Sequence, residues 1–240
     1  MVAALGRALS LARHVAGRRC QYCAAVLGLS DEYPLCPDCR ELLAPRLGGY
    51  CPECGICYAD SSAPVYPCLA CRQSRPPWSG LAFHGTYSGA LRDLVHGHKF
   101  SHDHGLGQLL AHLVRQAWDR HGLERPDRIV PVPMMPPKVF SRGFNQSAEL
   151  ARMLGKHIGL APLPSGLRKT RDTLAQSSLG RAERRGNVKG VFAARADLTG
   201  RHVLLVDDVM TTGATLTACA EVCLAAGARR VDIFFLGRAV

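Results

Sequence analysis

From about residue 81 onward, the apolar positions of this 240-residue chain fall into two alternating patterns, short continuous runs and longer stretches with helical spacing. LAFHGTYSGALRDLVHGHKF predicts a strand leading into a helix that opens near Ser88. Residues 105–121 carry Leu109, Leu110, Leu113 and Val114 at helical spacing and predict a second helix. IVPVP is a brief apolar run ended by prolines, a strand feeding a loop from Met134 to Ser141. A helix over about 145–157 follows, then an extended stretch near Leu167 and a polar, basic segment. The strand HVLLVD, a helix over 213–226 and the strand VDIFFLG complete the series. Strands apolar on both faces, alternating with helices, predict an α/β fold with a parallel sheet covered on both sides.

Residues 1–80 show neither pattern. MVAALGRALSLARHVAGRRC is basic and mildly amphipathic, with its apolar residues broken by Arg7, Arg13 and His14. It lacks the continuous apolar core of a secretory signal and predicts a short surface helix on a cytoplasmic protein. No apolar run is long enough to span a bilayer, so membrane insertion is not expected. RQSRPPWSG at 72–80 is a proline-rich linker. The organisation expected is an amphipathic segment over 1–19, a cysteine-rich module over 20–75 and the α/β domain over 81–240.

Nine of the eleven cysteines lie between residues 20 and 71. Eight of them form four C-x-x-C pairs: Cys20/Cys23, Cys36/Cys39, Cys51/Cys54 and Cys68/Cys71. A C-x-x-C turn presents two thiolates from one tight loop, and two such knuckles complete a tetrahedral Zn²⁺ shell. Without a secretory signal, this spacing points to a double zinc ribbon holding one or two structural ions rather than to disulfides. Two consecutive four-cysteine ribbons are the expected pairing, with a cross-braced arrangement of the first and third pairs as the alternative. Each four-thiolate zinc centre has a formal charge of −2, which argues against a nucleic-acid-gripping finger. Cys57 lies outside the pairs as a substitute ligand, and Cys219 and Cys223, four apart on a predicted helix, are expected to face the core. His96, His98, His102 and His104 read as solvated loop histidines rather than a metal site.

At residues 204–215, LLVDDVMTTGAT runs an apolar strand into two adjacent aspartates. In an open parallel sheet the ligand crevice lies beyond the carboxyl ends of the strands, where Asp207 and Asp208 fall. Gly213 permits close backbone approach, while the following helix N-terminus and Thr211, Thr212 and Thr215 offer donors for a phosphate monoester. Carboxylates beside such a cradle suit sugar hydroxyls, so the stretch predicts a ribose 5-phosphate site.

The net charge is +11, with twenty-two Lys/Arg against thirteen Asp/Glu after residue 80. That balance suits a polyanionic partner, a phosphorylated metabolite or nucleic acid. Residues 168–189 alone carry seven Lys/Arg against two Asp/Glu and read as a mobile loop.

The stretch around Asp207 resembles the 5-phosphoribosyl-1-pyrophosphate (PRPP) motif of type I phosphoribosyltransferases. The likeness implies that Asp207, Asp208, Thr211, Thr212, Gly213, Ala214 and Thr215 bind PRPP together with Mg²⁺. It also implies a pyrophosphate loop after an earlier strand, for which PVPMMPPK with Met134, Met135 and Lys138, followed by Arg142, is the candidate. A flexible loop closing over PRPP would contribute Arg168, Arg171, Gln176, Arg181 and Arg185. RGFNQ at 142–146, RDTLAQSSLGRAERRGNVKGVF at 171–192, YSGALRDLVHGHKF and the C-x-x-C pairs resemble the ComF/GntX family. Membership implies a type I phosphoribosyltransferase-like domain, a parallel sheet flanked by helices, preceded by a zinc-ribbon module. It further implies a role in DNA uptake and processing during natural transformation. Two alternatives stay open: an active phosphoribosyltransferase with an unidentified nitrogenous acceptor, or a factor that binds single-stranded DNA or competence proteins and retains the pocket. Few aromatics line up as a stacking platform for single strands: Phe100, Phe140 and Phe144 lie near basic residues, and core packing explains them equally well.

Overall fold

The computed structural model describes residues 19–28, 33–100, 104–171 and 190–239. Its main sheet is parallel throughout, in the order β1 (Gly80–Thr86), β7 (Arg230–Arg238), β5 (His202–Val206) and β2 (Arg128–Pro131). A two-residue strand, β6 (Val209–Met210), continues past β5 and pairs with the end of β7. The segments β3 (Leu167–Lys169) and β4 (Phe192–Ala194) form a separate antiparallel ribbon.

Alternate side chains along the strands build two cores. Ala82, Ile129, Leu204, Val206, Phe234 and Leu236 face α3 (Gly89–Phe100), α4 (His104–His121) and α6 (Gln146–Ile158). On the other face, Phe83, Val130, Val203, Leu205, Ile233 and Phe235 pack with α7 (Ala214–Ala225) and the ribbon. Cys219 and Cys223 of α7 are fully buried there. Burial pushes the Cys223 thiol up to about 12, which leaves it a small apolar filler rather than a nucleophile.

The region read as a loop from Met134 to Ser141 contains a short helix, α5 (Pro136–Arg142). Its two prolines occupy the first helical positions, where the missing N–H groups would have no intrahelical partner, so they start a helix instead of blocking one. Two of the histidines expected in a solvated loop stand on a helix instead. His96 and His98 belong to α3, and His98 is half-buried with its ring edge-to-face to Phe144 at 5.2 Å. Residues 1–18, His102, Gln176, Arg181 and Arg185 lie outside the described residues, as does the side chain of Phe100.

The cysteine-rich segment runs along the outer edge of β1, where a parallel sheet would otherwise expose unpaired groups. Arg46 N–H donates to the His84 carbonyl at 2.8 Å, and the Arg120 guanidinium donates to the carbonyls of Arg46 and Phe83. Cys20, Cys36 and Cys39 are buried in the same core as α3 and α4, whereas Cys57 belongs to the core on the α7 side. The two halves of the segment therefore clasp the β1 edge from opposite faces. Short helices α1 (Pro37–Leu42) and α2 (Leu69–Gln73) open immediately after Cys36 and Cys68.

His84 ties this segment to the sheet. Its ring is 1% exposed, and Nε2 lies 2.8 Å from the Leu43 carbonyl, to which the neutral ring donates. Burial lowers its pKa from the ordinary 6.5 to about 4. Above pH 6.5 the ring is neutral in both folded and unfolded chains; between 6.5 and 4 only the unfolded chain takes the proton, so stability falls as pH falls. Denaturant unfolding at pH 7.5 and pH 5 should show wild type losing about 2 kcal/mol more than His84→Gln, which retains a donor but does not titrate.

Candidate functional site at the carboxyl end of the sheet

The strand β5 is buried along its whole length and ends at Val206, so the two aspartates emerge at its carboxyl end. Their mutual repulsion is offset locally. Asp207 Oδ1 accepts from the Ser147 hydroxyl at 2.8 Å and from Asp208 N–H at 2.9 Å. Asp208 Oδ1 accepts from Val209 N–H at 2.7 Å. Charge-assisted hydrogen bonds of this kind stabilise the ionised form of a carboxylate.

After β6 the chain turns through Thr211, Thr212 and Gly213 into α7. Gly213 is the helix N-cap with φ +82°, a left-handed conformation that favours glycine. The Thr212 hydroxyl accepts from Ala214 N–H at 3.4 Å. The first turn of α7 thus points its backbone N–H groups and the positive end of its dipole at the same space as the aspartates. That space is a cavity of about 290 Å³ lined by Asp207, Asp208, Thr211, Gly213, Ala214 and Thr215 together with Tyr87, Val209, Met210 and Leu216. Donors on one side and carboxylates on the other can hold a ligand with a phosphate at one end and hydroxyls at the other.

Six of the seven residues expected to bind PRPP therefore meet around one cavity; the seventh, Thr212, braces the turn. Met134, Met135, Lys138 and Arg142 lie on α5 and its approach, and Arg168 and Arg171 on β3 and just beyond it. None of these six lines the cavity. Asn145 both caps α6, accepting from Ser147 N–H at 3.0 Å, and donates to the Val132 carbonyl at 3.0 Å. It thereby fixes the start of α6 to the end of β2 and sets the adjacent Ser147 against Asp207. Tyr87 and Ser147 were not legible as site residues, since their places come from sheet register and helix docking. The only local hint was that Tyr87 opens the YSGALRD stretch and Ser147 directly follows RGFNQ.

The cysteines form two clusters, Cys20/Cys23/Cys36/Cys39 and Cys51/Cys54/Cys68/Cys71, each with its four sulfurs within 4.8 Å of one another. This is the consecutive pairing, not the cross-braced one. Sulfur distances between knuckles are 3.7 Å for Cys23–Cys36 and 3.8 Å for Cys54–Cys68. A tetrahedron with Zn–S bonds near 2.3 Å has edges of about 3.8 Å, whereas a disulfide needs about 2.05 Å. Backbone support is present as well, with Cys68 N–H donating to Cys51 Sγ at 3.3 Å. Cys51 is held down to about 4 by the hydrogen bond from the Cys54 thiol, against the opposing effect of burial and with help from nearby backbone amides. Both donor sets could hold zinc. Cys57 belongs to neither, and its thiol donates to the Gly55 carbonyl at 3.5 Å.

A model of the phosphoribosyl transferase domain matches residues 141–237. The chain is 34% identical over 223 residues to the DNA utilization protein YhgH of Salmonella typhimurium, covering 91% of this chain and 96% of that one. It is 29% identical over 228 residues to Competence protein F of Haemophilus influenzae, covering 92% and 97%. Competence protein ComFC of Streptococcus pneumoniae matches at 28% over 212 residues, covering 87% and 90%. Among solved structures, a purine phosphoribosyltransferase from Pyrococcus horikoshii aligns over 67% of this chain and 87% of that one at 17% identity, with a TM-score of 0.31. The family model, the parallel sheet and the paired cysteine tetrads give the chain a type I phosphoribosyltransferase-like fold, and its near full-length relatives make it a member of the ComF family.

Proposed function

We propose that this protein binds PRPP at the Asp207–Thr215 loop and acts in DNA uptake and processing during natural transformation. The observation that carries the ligand reading is the single cavity faced by both carboxylates and the first turn of α7. On this reading Thr211, Thr215 and the α7 amides take the 5-phosphate, and the aspartates accept the ribose hydroxyls. Mg²⁺ fits beside hard carboxylate oxygens and would neutralise pyrophosphate charge on the bound ligand. Ser147 orients Asp207, and Asn145 holds Ser147 in place. The names competence and DNA utilization among the relatives support the cellular role.

A direct contact with single-stranded DNA finds support on α5. Phe140 is 93% exposed, and Lys138 and Arg142 lie two residues to either side. An exposed ring can stack a base, while Lys138 and Arg142, four apart on the helix, lie together on the side away from it. Fluorescence anisotropy with labelled oligothymidylate should show Phe140→Ala weakening binding at least threefold without changing its salt dependence; equal affinity would remove α5 from the DNA surface.

The zinc reading gives the tetrads a structural part, supplying folding energy to a segment with a small apolar core. Elemental analysis should find two zinc ions per chain, and Cys57→Ser should retain both. Loss of one ion in Cys57→Ser would return Cys57 to the ligand set.

Calorimetry with Mg²⁺ should detect PRPP binding that Asp207→Asn/Asp208→Asn weakens at least tenfold, about 1.4 kcal/mol or more. Ser147→Ala should weaken it severalfold with zinc content unchanged. Undiminished affinity in the double variant would overturn the reading of the loop.

A further inference from the structure

We propose that the second cysteine tetrad holds the phosphate-binding loop in shape through Arg238, so that metal at Cys51, Cys54, Cys68 and Cys71 sets the order of that loop and its grip on a ligand. The inference rests on the reading of the loop as a phosphate cradle, but its structural half stands independently of any ligand.

Arg238 is the last residue of β7 and is only 6% exposed. Its guanidinium joins three pieces of chain. Nε donates to the Cys54 carbonyl at 3.0 Å, within the knuckle itself. Nη1 donates to the Met210 carbonyl at 3.0 Å, to the Ala239 carbonyl at 2.8 Å and to the Thr211 carbonyl. Met210 and Thr211 begin the turn that ends in Gly213. A buried guanidinium with its donors committed in this way is costly to disturb, because each loosened carbonyl or N–H would lose its partner away from water.

A second side chain makes the same connection. Trp78 Nε1 donates to the Glu53 carbonyl at 2.7 Å, and its ring lies 3.9 Å from where a Cβ on Gly213 would stand. The neighbouring carbonyls of Glu53 and Cys54 are thus both held by side chains that reach the loop. The knuckle also bears directly on β7. Gly55 has φ +68°, and a Cβ there would come within 2.8 Å of Phe235 Cζ and 3.8 Å of Arg238 Cδ. Its turn is closed by Gly55 N–H to Cys51 O at 2.8 Å and Cys51 N–H to Ile56 O at 2.9 Å.

The shape of that turn depends on its sulfurs converging with those of Cys68 and Cys71, and four converging thiolates repel unless a cation holds them. A bound Zn²⁺ leaves the cluster with a formal charge of −2, which also favours the adjacent guanidinium. The first tetrad is a natural comparison, since its buried cysteines belong to the core on the opposite face of the sheet. Arg238 is a positioning residue in this account: it touches the loop's carbonyls, not the ligand.

The test combines zinc content, amide hydrogen exchange over residues 209–217 and PRPP calorimetry on the full chain. Cys71→Ser should lose one zinc, speed exchange over that loop at least tenfold and weaken PRPP at least tenfold. Cys39→Ser should lose one zinc while exchange over the loop stays within twofold. Arg238→Lys should keep both zinc ions yet reproduce the loop exchange of Cys71→Ser, because an ammonium cannot span the knuckle and the turn together. Cys71→Ser combined with Arg238→Lys should loosen the loop no further than either single change. Loss of zinc in Cys71→Ser with unchanged loop exchange would overturn the coupling. Should Cys71→Ser fail to fold, Arg238→Lys decides alone, and unchanged exchange there is equally fatal. If wild type fails to bind PRPP while the exchange pattern holds, the phosphate reading falls and the coupling survives.

Discussion

The structure depends on β7 being paired on both sides and buried on both faces. It lies between β1 and β5, carries β6 at its end, and is buried from Val231 through Arg238. A strand in that position must supply apolar side chains to two cores and leave no backbone group unpaired. VDIFFLG meets the first demand. Parallel pairing meets the second along the strand, and Asp208 O meets it at the carboxyl end by accepting from Leu236 N–H at 3.0 Å and Gly237 N–H at 3.2 Å. The same residue that projects a carboxylate at the cavity therefore helps close the sheet.

This double use explains how the acid pair is tolerated. Asp207 and Asp208 are held by their own following amides and by Ser147, with each hydrogen bond directed at a specific oxygen. A cavity bounded by carboxylates on one side and a helix N-terminus on the other has opposed local charges although the chain as a whole is strongly basic. Net charge thus describes how a polyanion approaches, whereas the site is decided by the placement of a few groups.

The cysteine segment is bound into the sheet far more closely than a linker-joined module would suggest. Its two tetrads flank opposite faces of the β1 edge, and His84, Arg120, Trp78 and Arg238 each connect it to strands or helices of the α/β part. Among the described residues, no helix is long and apolar enough to cross a membrane.

Features set by neighbours in the chain were legible without the structure. Strand order aside, the four long strands of the main sheet and the four helices of twelve or more residues were apparent from apolar rhythm. Burial on a sheet face or helix stripe imposes a local period, whereas the shorter elements carry too few residues to show one. Asp207 through Thr215 could be read together because one strand end, one turn and one helix start bring them to the same place. The helix at Pro136 was missed because proline signals a break in general but a beginning at the first helical turn. What the tertiary structure alone decided was which distant groups complete the site. Ser147 reaches Asp207 across 60 positions and Arg238 reaches Cys54 across 184. Such choices follow from sheet register and the packing of two faces, and neither leaves a periodic mark on the chain.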